Sequence, residues 1–503
     1  MEATDYKSLK LKIFKNIGAI SVIQLLSKLT TIVTGIILAR LLDPADFGIY
    51  GLVVSFMAFI LVFDEMGLAT AVIQKKADDE EAVFYTGFFI KVLISTGLFL
   101  LILFFAAPGA ALFYKTPGLR GVTIFLAVIM LIDNLKFIPQ TRIVKSNALN
   151  KLLLPSLIDT FSYSVIVVFL ALSGYKYWSF VYAKLISSFL GGAAFCFIMP
   201  WKPQFIFNKK LGKELLNFGK FLVLAALLGM VNKQMDNLIV GKLLGLSALG
   251  YYALAYRWGG IISLDIGQVV NQVLYPVNVK YQGNFSMLEN IQAQSMKYVS
   301  LIIFPISMGF LVTCPEFVRV VLGEKWAPSI VPLQILSIHG LFWALVKRGN
   351  LFEAIGKPKY ISVLGVLFSL LLIILIFPFT SWMGITGTAL AVTITFIVVN
   401  FIVVWSILGR VFHFNVWNIL SQLRFPFISS LIMVAAVSLL KITLYNQGYR
   451  QVTVFFLSIL VGFIAYSLGI SFLMVKDLKK IIRVLFTPRT SMKAKFRMMV
   501  ISL

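Results

Sequence analysis

Fourteen apolar segments of about twenty residues each run through this chain, and about twenty predominantly apolar residues are what an α-helix needs to cross a bilayer. They fall at 17–38, 47–71, 83–106, 120–138, 152–172, 178–199, 218–240, 247–273, 298–314, 329–346, 360–378, 383–405, 425–441 and 452–475. With no water inside a bilayer to hydrogen-bond the backbone, only helices and closed barrels can span it. Barrel strands would alternate polar and apolar residues, and these segments do not. The expectation is an all-α integral membrane protein with about 14 transmembrane helices. Composition agrees: 59% of residues are hydrophobic, 13% are charged, and the mean hydropathy is +0.93.

The segments repeat. The first ends in Ile37-Leu38-Ala39-Arg40-Leu41-Leu42, followed by Asp43-Pro44-Ala45-Asp46-Phe47-Gly48-Ile49-Tyr50. At an offset of 202 residues the chain reads Ile239-Val240-Gly241-Lys242-Leu243-Leu244, then Gly245-Leu246-Ser247-Ala248-Leu249-Gly250-Tyr251-Tyr252. The basic residue, the Leu-Leu pair, the glycine and the tyrosine recur in register. An even number of spans precedes the second copy, so both copies run the same way through the membrane. The expected architecture is two six-helix lobes related by a parallel internal repeat, plus two C-terminal helices. The corresponding boundaries are 1–200 for the first lobe, 201–217 for a basic linker, and 218–405 for the second lobe. Spans thirteen and fourteen occupy 406–475, and a basic tail follows at 476–503.

The net charge of +25 is unevenly placed. Of the 45 Lys and Arg residues, 29 lie on the side that holds both termini, 9 on the other side (with Arg120 and Lys441 at span edges counted there), and 7 within spans. The positive-inside rule then puts both termini in the cytoplasm. The tail cluster of Lys476, Lys479, Lys480, Arg483, Arg489, Lys493, Lys495 and Arg497 suits anionic lipid head groups rather than nucleic acid. Residues 7–15 alternate lysines with Leu, Ile and Phe as an interfacial helix would. The run after them lacks a small-residue cleavage site and is expected to remain in the protein.

Several chemistries are not signalled. The two cysteines, Cys196 and Cys314, fall at opposite ends of their spans, too far apart for a disulfide. The two histidines, His339 and His413, have no cysteines or carboxylates around them to make a metal site. There is no Walker-type phosphate loop. The longest outer stretches, near 107–119 and 315–328, hold about a dozen residues, too few for the carboxylate-bearing loop of a membrane glycosyltransferase or polymerase. No catalytic residues, cofactor or metal are therefore expected.

Ionisable groups inside spans need a reason, since each costs about 2.5–3.5 kcal/mol at bilayer depth. The bases are Lys28, Lys91, Lys136, Lys184, Lys220, Lys233 and Arg257; the acids are Asp64, Glu65, Asp133, Asp159, Asp236 and Asp265. Lys136, Lys184 and Lys220 sit near span ends, where their stems can snorkel to water. Lys28 and Arg257 stand about ten residues in, too deep for that. Gln24, Lys28, Thr31 and Gly35 form one helical stripe; shifted by 202 it lands on Ala226, Met230, Lys233 and Asn237. Arg257, Ile261, Asp265, Gln268 and Gln272 form a stripe on span eight, and Asp64 and Glu65 sit near its repeat equivalent. These stripes either face a shared hydrated cavity or bond helix to helix.

Taken together, the stretch Gly18-Ala19-Ile20 through Leu38-Ala39-Arg40-Leu41-Leu42, then Phe47-Gly48-Ile49-Tyr50, Asp64-Glu65-Met66-Gly67-Leu68, Ala71-Val72-Ile73-Gln74, Ile138-Pro139-Gln140-Thr141-Arg142 and Gly250-Tyr251-Tyr252 through Arg257 resemble a known family. It is the polysaccharide-exporter branch (Wzx-type and colanic-acid-exporter-type) of the multidrug/oligosaccharidyl-lipid/polysaccharide flippase superfamily. The resemblance covers the whole length and implies a flippase in the bacterial cytoplasmic (inner) membrane. It would carry an undecaprenyl-diphosphate-linked oligosaccharide from the inner to the outer leaflet by alternating access, for surface polysaccharide synthesis, alongside polysaccharide polymerase machinery. It further implies substrate-binding cations at Lys28, Lys233 and Arg257, with Gln24, Thr31 and Asn237 on the same faces. Asp64, Glu65, Asp236 and Asp265 would titrate or hold a coupling ion, H+ or Na+. A drug or cation exporter of the same superfamily is the alternative and would call for an acidic rather than a basic cavity. A membrane glycosyltransferase or polymerase is a weaker one.

Overall fold

The computed structural model describes residues 26–75, 79–204, 206–346 and 349–475, and the side chains of all these except 221, 225, 261–266, 268, 269, 272, 346, 349 and 350. Gln24, the 7–15 stretch, the basic tail and the side chains of Asp265, Gln268 and Gln272 lie outside the described residues. Among the described residues the regular structure is helical, without strands. The helices are α1 (26–41), α2 (Pro44–Glu65), α3 (Leu68–Gln74), α4 (Glu80–Leu101), α5 (Ala107–Phe113), α6 (Gly118–Asp133), α7 (Phe137–Lys145), α8 (Leu153–Leu172), α9 (Trp178–Ile198) and α10 (Lys209–Leu243). They continue with α11 (Leu246–Lys280), α12 (Phe285–Glu316), α13 (Ile330–Val346), α14 (Gly349–Ala354), α15 (Lys359–Phe396), α16 (Val404–Val411), α17 (Val416–Ser421), α18 (Arg424–Asn446) and α19 (Gln451–Leu473).

Among the described residues eleven helical runs are long and apolar enough to cross a membrane, against the fourteen segments expected. One run, Lys359–Val411, holds two expected segments, 360–378 and 383–405, joined through Gly384. Gly384 has φ 61° and ψ −143°, a non-helical conformation open essentially to glycine alone, and it divides the α15 range into two helices. Thr380 and Thr388 share a hydroxyl–hydroxyl hydrogen bond of 2.8 Å across the bend. The first expected segment is only partly described, and 247–273 lies in α11, outside the eleven. This is a multi-pass membrane protein.

By contact the chain forms two compact units, Met1–Gly250 and Tyr251–Leu503. The repeat makes α10 the counterpart of α1, yet by contact α10 packs within the first unit, along α2, α3 and α4. In the first unit α2 begins on Pro44, whose fixed φ suits a first helical position. The Asp46 carboxylate accepts from the Asp43 N–H at 3.1 Å and from the Tyr177 N–H at 3.2 Å, fixing the α2 start to the α8–α9 loop. Tyr50 stacks on Phe180 at 4.6 Å in the same corner. At its other end α2 breaks at Met66 and Gly67, both left-handed at φ 39° and 62°, and α3 restarts beyond them. An apolar cluster of Leu68, Val72, Phe84, Phe88, Ile138 and Leu215 closes this end. The basic linker is folded onto α4: Tyr85 donates to the Lys202 carbonyl at 3.0 Å, and Trp201 meets Phe88 edge-on at 4.9 Å.

Helices in lipid gain little from apolar burial against one another, and small residues that let backbones approach do much of the work. Two glycines show this best. A Cβ placed on Gly48 would collide with the carbonyl of Leu246, and one on Gly250 would collide with the carbonyl of Pro44. The Cα–H that a side chain would replace therefore points at a carbonyl oxygen in both places, the geometry of paired Cα–H···O contacts between helices. Adding 202 to 44 and 48 gives 246 and 250, so the two contacts are exchanged by the repeat offset.

The second unit is built on α12. Its core gathers Met296, Ile303, Phe304, Leu341, Phe352, Val399, Trp405 and Leu408. The α18–α19 hairpin is bolted to α12 by a buried network. Lys441 Nζ lies 2.8 Å from the Glu316 carboxylate and donates to the Val312 carbonyl, and the Tyr445 hydroxyl donates to Glu316 at 2.6 Å. Tyr466 donates to the Leu301 carbonyl at 2.8 Å.

Candidate functional site

Each of the three cations expected to bind substrate lies ten or more residues from one end of its helix. Lys28 is thirteen residues from the end of α1, Lys233 ten from the end of α10, and Arg257 eleven from the start of α11. At 1.5 Å per residue these are about 15–20 Å of helix, near the midplane of a hydrocarbon core about 30 Å thick. Lys233 and Arg257 are exposed, and Lys28 is half-buried. Around Arg257 on α11, Tyr252, Leu254, Ala255 and Trp258 are buried, while Ala253 and Tyr256 are half-buried. A cation exposed to hydrocarbon at this depth would cost about 2.5–3.5 kcal/mol. Exposure there fits contact with water or a polar ligand. Thr31 is exposed, with its hydroxyl donating to the Ser27 carbonyl at 2.8 Å. Asn237 is half-buried and donates to Gln234 at 3.2 Å.

The expected coupling acids separate sharply. Asp64 is 3% exposed and ion-paired to Lys91; it also accepts from Ser95, whose hydroxyl reaches Asn134 at 3.2 Å. Lys91 further donates to the Asp64 carbonyl at 2.9 Å. Two charges and two neutral groups thus satisfy one another inside the bundle of α2, α4 and α6. Glu65, one residue on, is exposed. Asp236 is buried, and one of its carboxylate oxygens accepts from the Asn237 N–H at 2.8 Å.

Two of the lysines expected to snorkel are paired instead. Lys136 meets Asp133 at 2.7 Å, one helical turn away, and Lys184 meets Asp159 at 3.3 Å across α8 and α9. Asp133 also accepts from Ser188. The Lys91–Asp64 and Lys441–Glu316–Tyr445 partnerships were not read from the sequence. Near balance between intramembrane acids and bases was the one available signal, and it carries no pairing information.

At the α3–α4 end, Lys75 meets Glu214 at 2.5 Å, Lys145 meets Glu80 at 3.0 Å, and Arg142 pairs with Glu81 while lying over the Phe84 ring. These contacts tie α3, α4, α7 and the start of α10 together. They are solvent-facing on the acid side, where single pairs are worth little.

Residues 37–331 match a family model described as a polysaccharide biosynthesis protein. The chain is 27% identical over 305 residues to the teichuronic acid biosynthesis protein TuaB of Bacillus subtilis (strain 168), covering 59% of this chain and 62% of TuaB. It is 26% identical over 481 residues to a membrane protein in the cps region of Klebsiella pneumoniae, covering 92% and 95%. It is 22% identical to the lipopolysaccharide biosynthesis protein WzxC of Escherichia coli (strain K12), covering 73% and 74%. Among solved structures the fold is that of the lipid II flippase MurJ in an inward closed conformation, with a TM-score of 0.72 at 18% identity over 91% of this chain and 99% of that one. An inward-facing multidrug resistance MATE family transporter follows at 0.58 and 14%, over 84% and 98%.

Proposed function

The chain belongs to the polysaccharide biosynthesis protein family whose model it matches over residues 37–331, and from that premise we propose that it is a flippase for a lipid-linked oligosaccharide. The observation that carries this reading is the exposure of Lys233 and Arg257 at mid-span depth. A diphosphate head group needs cations that it can reach, and guanidinium and ammonium groups supply charge-assisted donors to phosphate oxygens. The names borne by TuaB, WzxC and MurJ all concern cell-envelope glycans or lipid II, which supports the same substrate class. An oligosaccharide with about ten hydroxyls, each costing a few kcal/mol unpaired in hydrocarbon, does not cross a bilayer unaided at a useful rate.

In this reading the undecaprenyl tail stays in lipid while the glycan and diphosphate pass through a polar cavity by alternating access. Lys28, Lys233 and Arg257 receive the diphosphate, and Gln24, Thr31 and Asn237 hydrogen-bond around it. Asp236, Glu65 and Asp265 remain candidates to titrate or hold H+ or Na+; Asp64, already neutralised by Lys91, is the weakest of the four. The protein sits in the bacterial inner membrane with both termini cytoplasmic, performs no covalent chemistry, and hands its cargo to polymerase machinery.

The test is glycan export in cells that depend on this chain. Arg257→Ala should abolish export while the protein remains inserted and abundant. Arg257→Lys should restore part of it, because charge is kept although the planar fork is lost. Normal export by Arg257→Ala, or a loss that merely follows protein level, would overturn the assignment.

A further inference from the structure

Four intramembrane charges of the first unit are paired yet left open. Lys136 with Asp133, and Lys184 with Asp159, have side chains between 24% and 36% exposed. The pairs that lock helices together elsewhere are closed: the Asp64 side chain is 5% exposed beside Lys91, and that of Glu316 is 4% exposed beside Lys441. Asp133 lies fifteen residues from Gly118, the start of α6, and Asp159 thirteen from Leu172, the end of α8. Alternating spans put both of those ends on one membrane face, so the acids sit about 20 Å into a hydrocarbon core about 30 Å thick. Charges open to hydrocarbon at that depth are costly, and the helix faces keep these away from it. On α8 the exposed Phe161, Val165 and Phe169 form one stripe, and Asp159 turns away from it with Ser156 and Tyr163. On α9 the exposed Phe189, Leu190 and Phe197 are likewise opposite Lys184, Ser188 and Gly191.

The open atoms can be named. Lys136 and Ser188 both meet the same Asp133 oxygen, Oδ1, and among the described residues no hydrogen bond reaches Oδ2. Lys184 Nζ stands 3.4 and 3.3 Å from the two Asp159 oxygens, looser than the roughly 2.7–2.9 Å of a charge-assisted bond. A Cβ on Gly191 would lie 3.1 Å from that of Asp159, so α8 and α9 close tightly at this level and hold the two pairs on one face. Two acids and two lysines sum to zero charge, which gives a diphosphate no net attraction. A cation approaching either carboxylate would meet a lysine already there. Neutral groups that both donate and accept do fit: a sugar hydroxyl gives its proton to a carboxylate oxygen and accepts one from an ammonium. We propose that Asp133, Lys136, Asp159 and Lys184 form a subsite for uncharged sugar residues of the lipid-linked glycan, separate from the cations assigned to its diphosphate. The proposal deepens the flippase reading above and rests on it.

Two probes separate the sugar from the diphosphate. One is undecaprenyl diphosphate without sugar; the other is the glycan-bearing lipid extracted from cells depleted of this chain. Binding of each to the purified full chain is read by native mass spectrometry. Asp159→Leu with Lys184→Leu removes one pair and keeps the site neutral, a replacement that buried ion pairs often tolerate. It should weaken the glycan-bearing lipid by at least about tenfold, the worth of one hydrogen bond to a charged group, and leave the bare diphosphate unchanged. Asp133→Leu with Lys136→Leu should do the same. Arg257→Ala should weaken both probes. Glycan-lipid binding equal to the parent's in both pair variants would overturn the subsite, and so would equal weakening of the two probes, which is what a merely structural pair predicts.

If the pair variants fail to fold, Asp133→Asn decides, because it keeps the side chain's shape and an acceptor for Ser188 while removing the charge behind Oδ2. It should lower glycan-lipid binding several-fold with the bare diphosphate unaffected, and no change in either would overturn the proposal. A parent chain that binds the glycan-bearing lipid while the variants bind it equally well condemns the subsite alone. A parent chain that binds neither probe overturns the flippase reading, and the subsite with it.

Discussion

Replacing Lys91 by methionine should destabilise the protein far more than removing the whole ion pair. Asp64 is 3% exposed, and its carboxylate has Lys91 and Ser95 as donors. Lys91→Met leaves a buried carboxylate with one neutral donor, a situation that costs about 3–5 kcal/mol. Asp64→Leu is milder, at about 2–3 kcal/mol, because the lysine keeps its bond to the carbonyl of residue 64 and stays partly satisfied. The double variant removes both charges from a low-dielectric site and should lie within about 1 kcal/mol of the parent, since apolar replacement of a buried pair is often neutral. Non-additivity of at least about 3 kcal/mol is therefore expected. The assay is loss of the monodisperse peak on heating or on titration with denaturing detergent, run on the three variants and the parent in one detergent. Equal losses in single and double variants, or none in Lys91→Met, would refute the reasoning. The double variant should also export glycan; a stable but inactive double variant would return Asp64 to the coupling role.

Reporter fusions after Asn446 and after Lys480 should report outside and inside respectively, and the same side for both would break the fourteen-span topology. Gly384→Ala should lower stability by about 1–3 kcal/mol, because φ 61° with ψ −143° is strained for any residue with a Cβ; an unchanged melting midpoint would show that the turn accepts a Cβ without cost. Tyr445→Phe should cost about 1 kcal/mol, one hydrogen bond to Glu316, whereas Lys441→Met should cost about 3–5 kcal/mol; equal effects would mean that the network is not organised around the carboxylate.

How much of this could be read from the sequence depended on the length scale of the interaction. Apolar runs declare helices locally, so α4, α8, α9 and α19 lie where the hydropathy puts them, while α12 begins at Phe285, well before the expected 298. The Asp133–Lys136 pair could have been found from its three-residue spacing. Lys91 and Asp64 are 27 residues apart, and whether they meet depends on helix rotation and depth, which hydropathy does not encode. The break expected between 378 and 383 stands close by, at Gly384, where non-helical dihedrals separate two helices within the α15 range. The repeat placed Gly48 over Gly250 but could not say that they touch each other's partners, since a sequence offset relates equivalent positions and does not name contacts. The same gap explains α10, which the repeat pairs with α1 and which packs along α2.

The pattern of intramembrane ion pairs bears on how the first unit is made. Asp64 and Lys91 belong to consecutive spans, Asp133 and Lys136 to one span, and Asp159 and Lys184 again to consecutive spans. During synthesis each of these charges leaves the ribosome together with, or one hairpin ahead of, its counter-charge. None of these three carboxylates has to wait in lipid for a distant partner. Glu316 is the exception, because Lys441 and Tyr445 are translated 125 and 129 residues later. Until α18 emerges, α12 carries an unmatched acid, so truncation before residue 441 should strand the second unit part-built while leaving the first unit's own pairs intact.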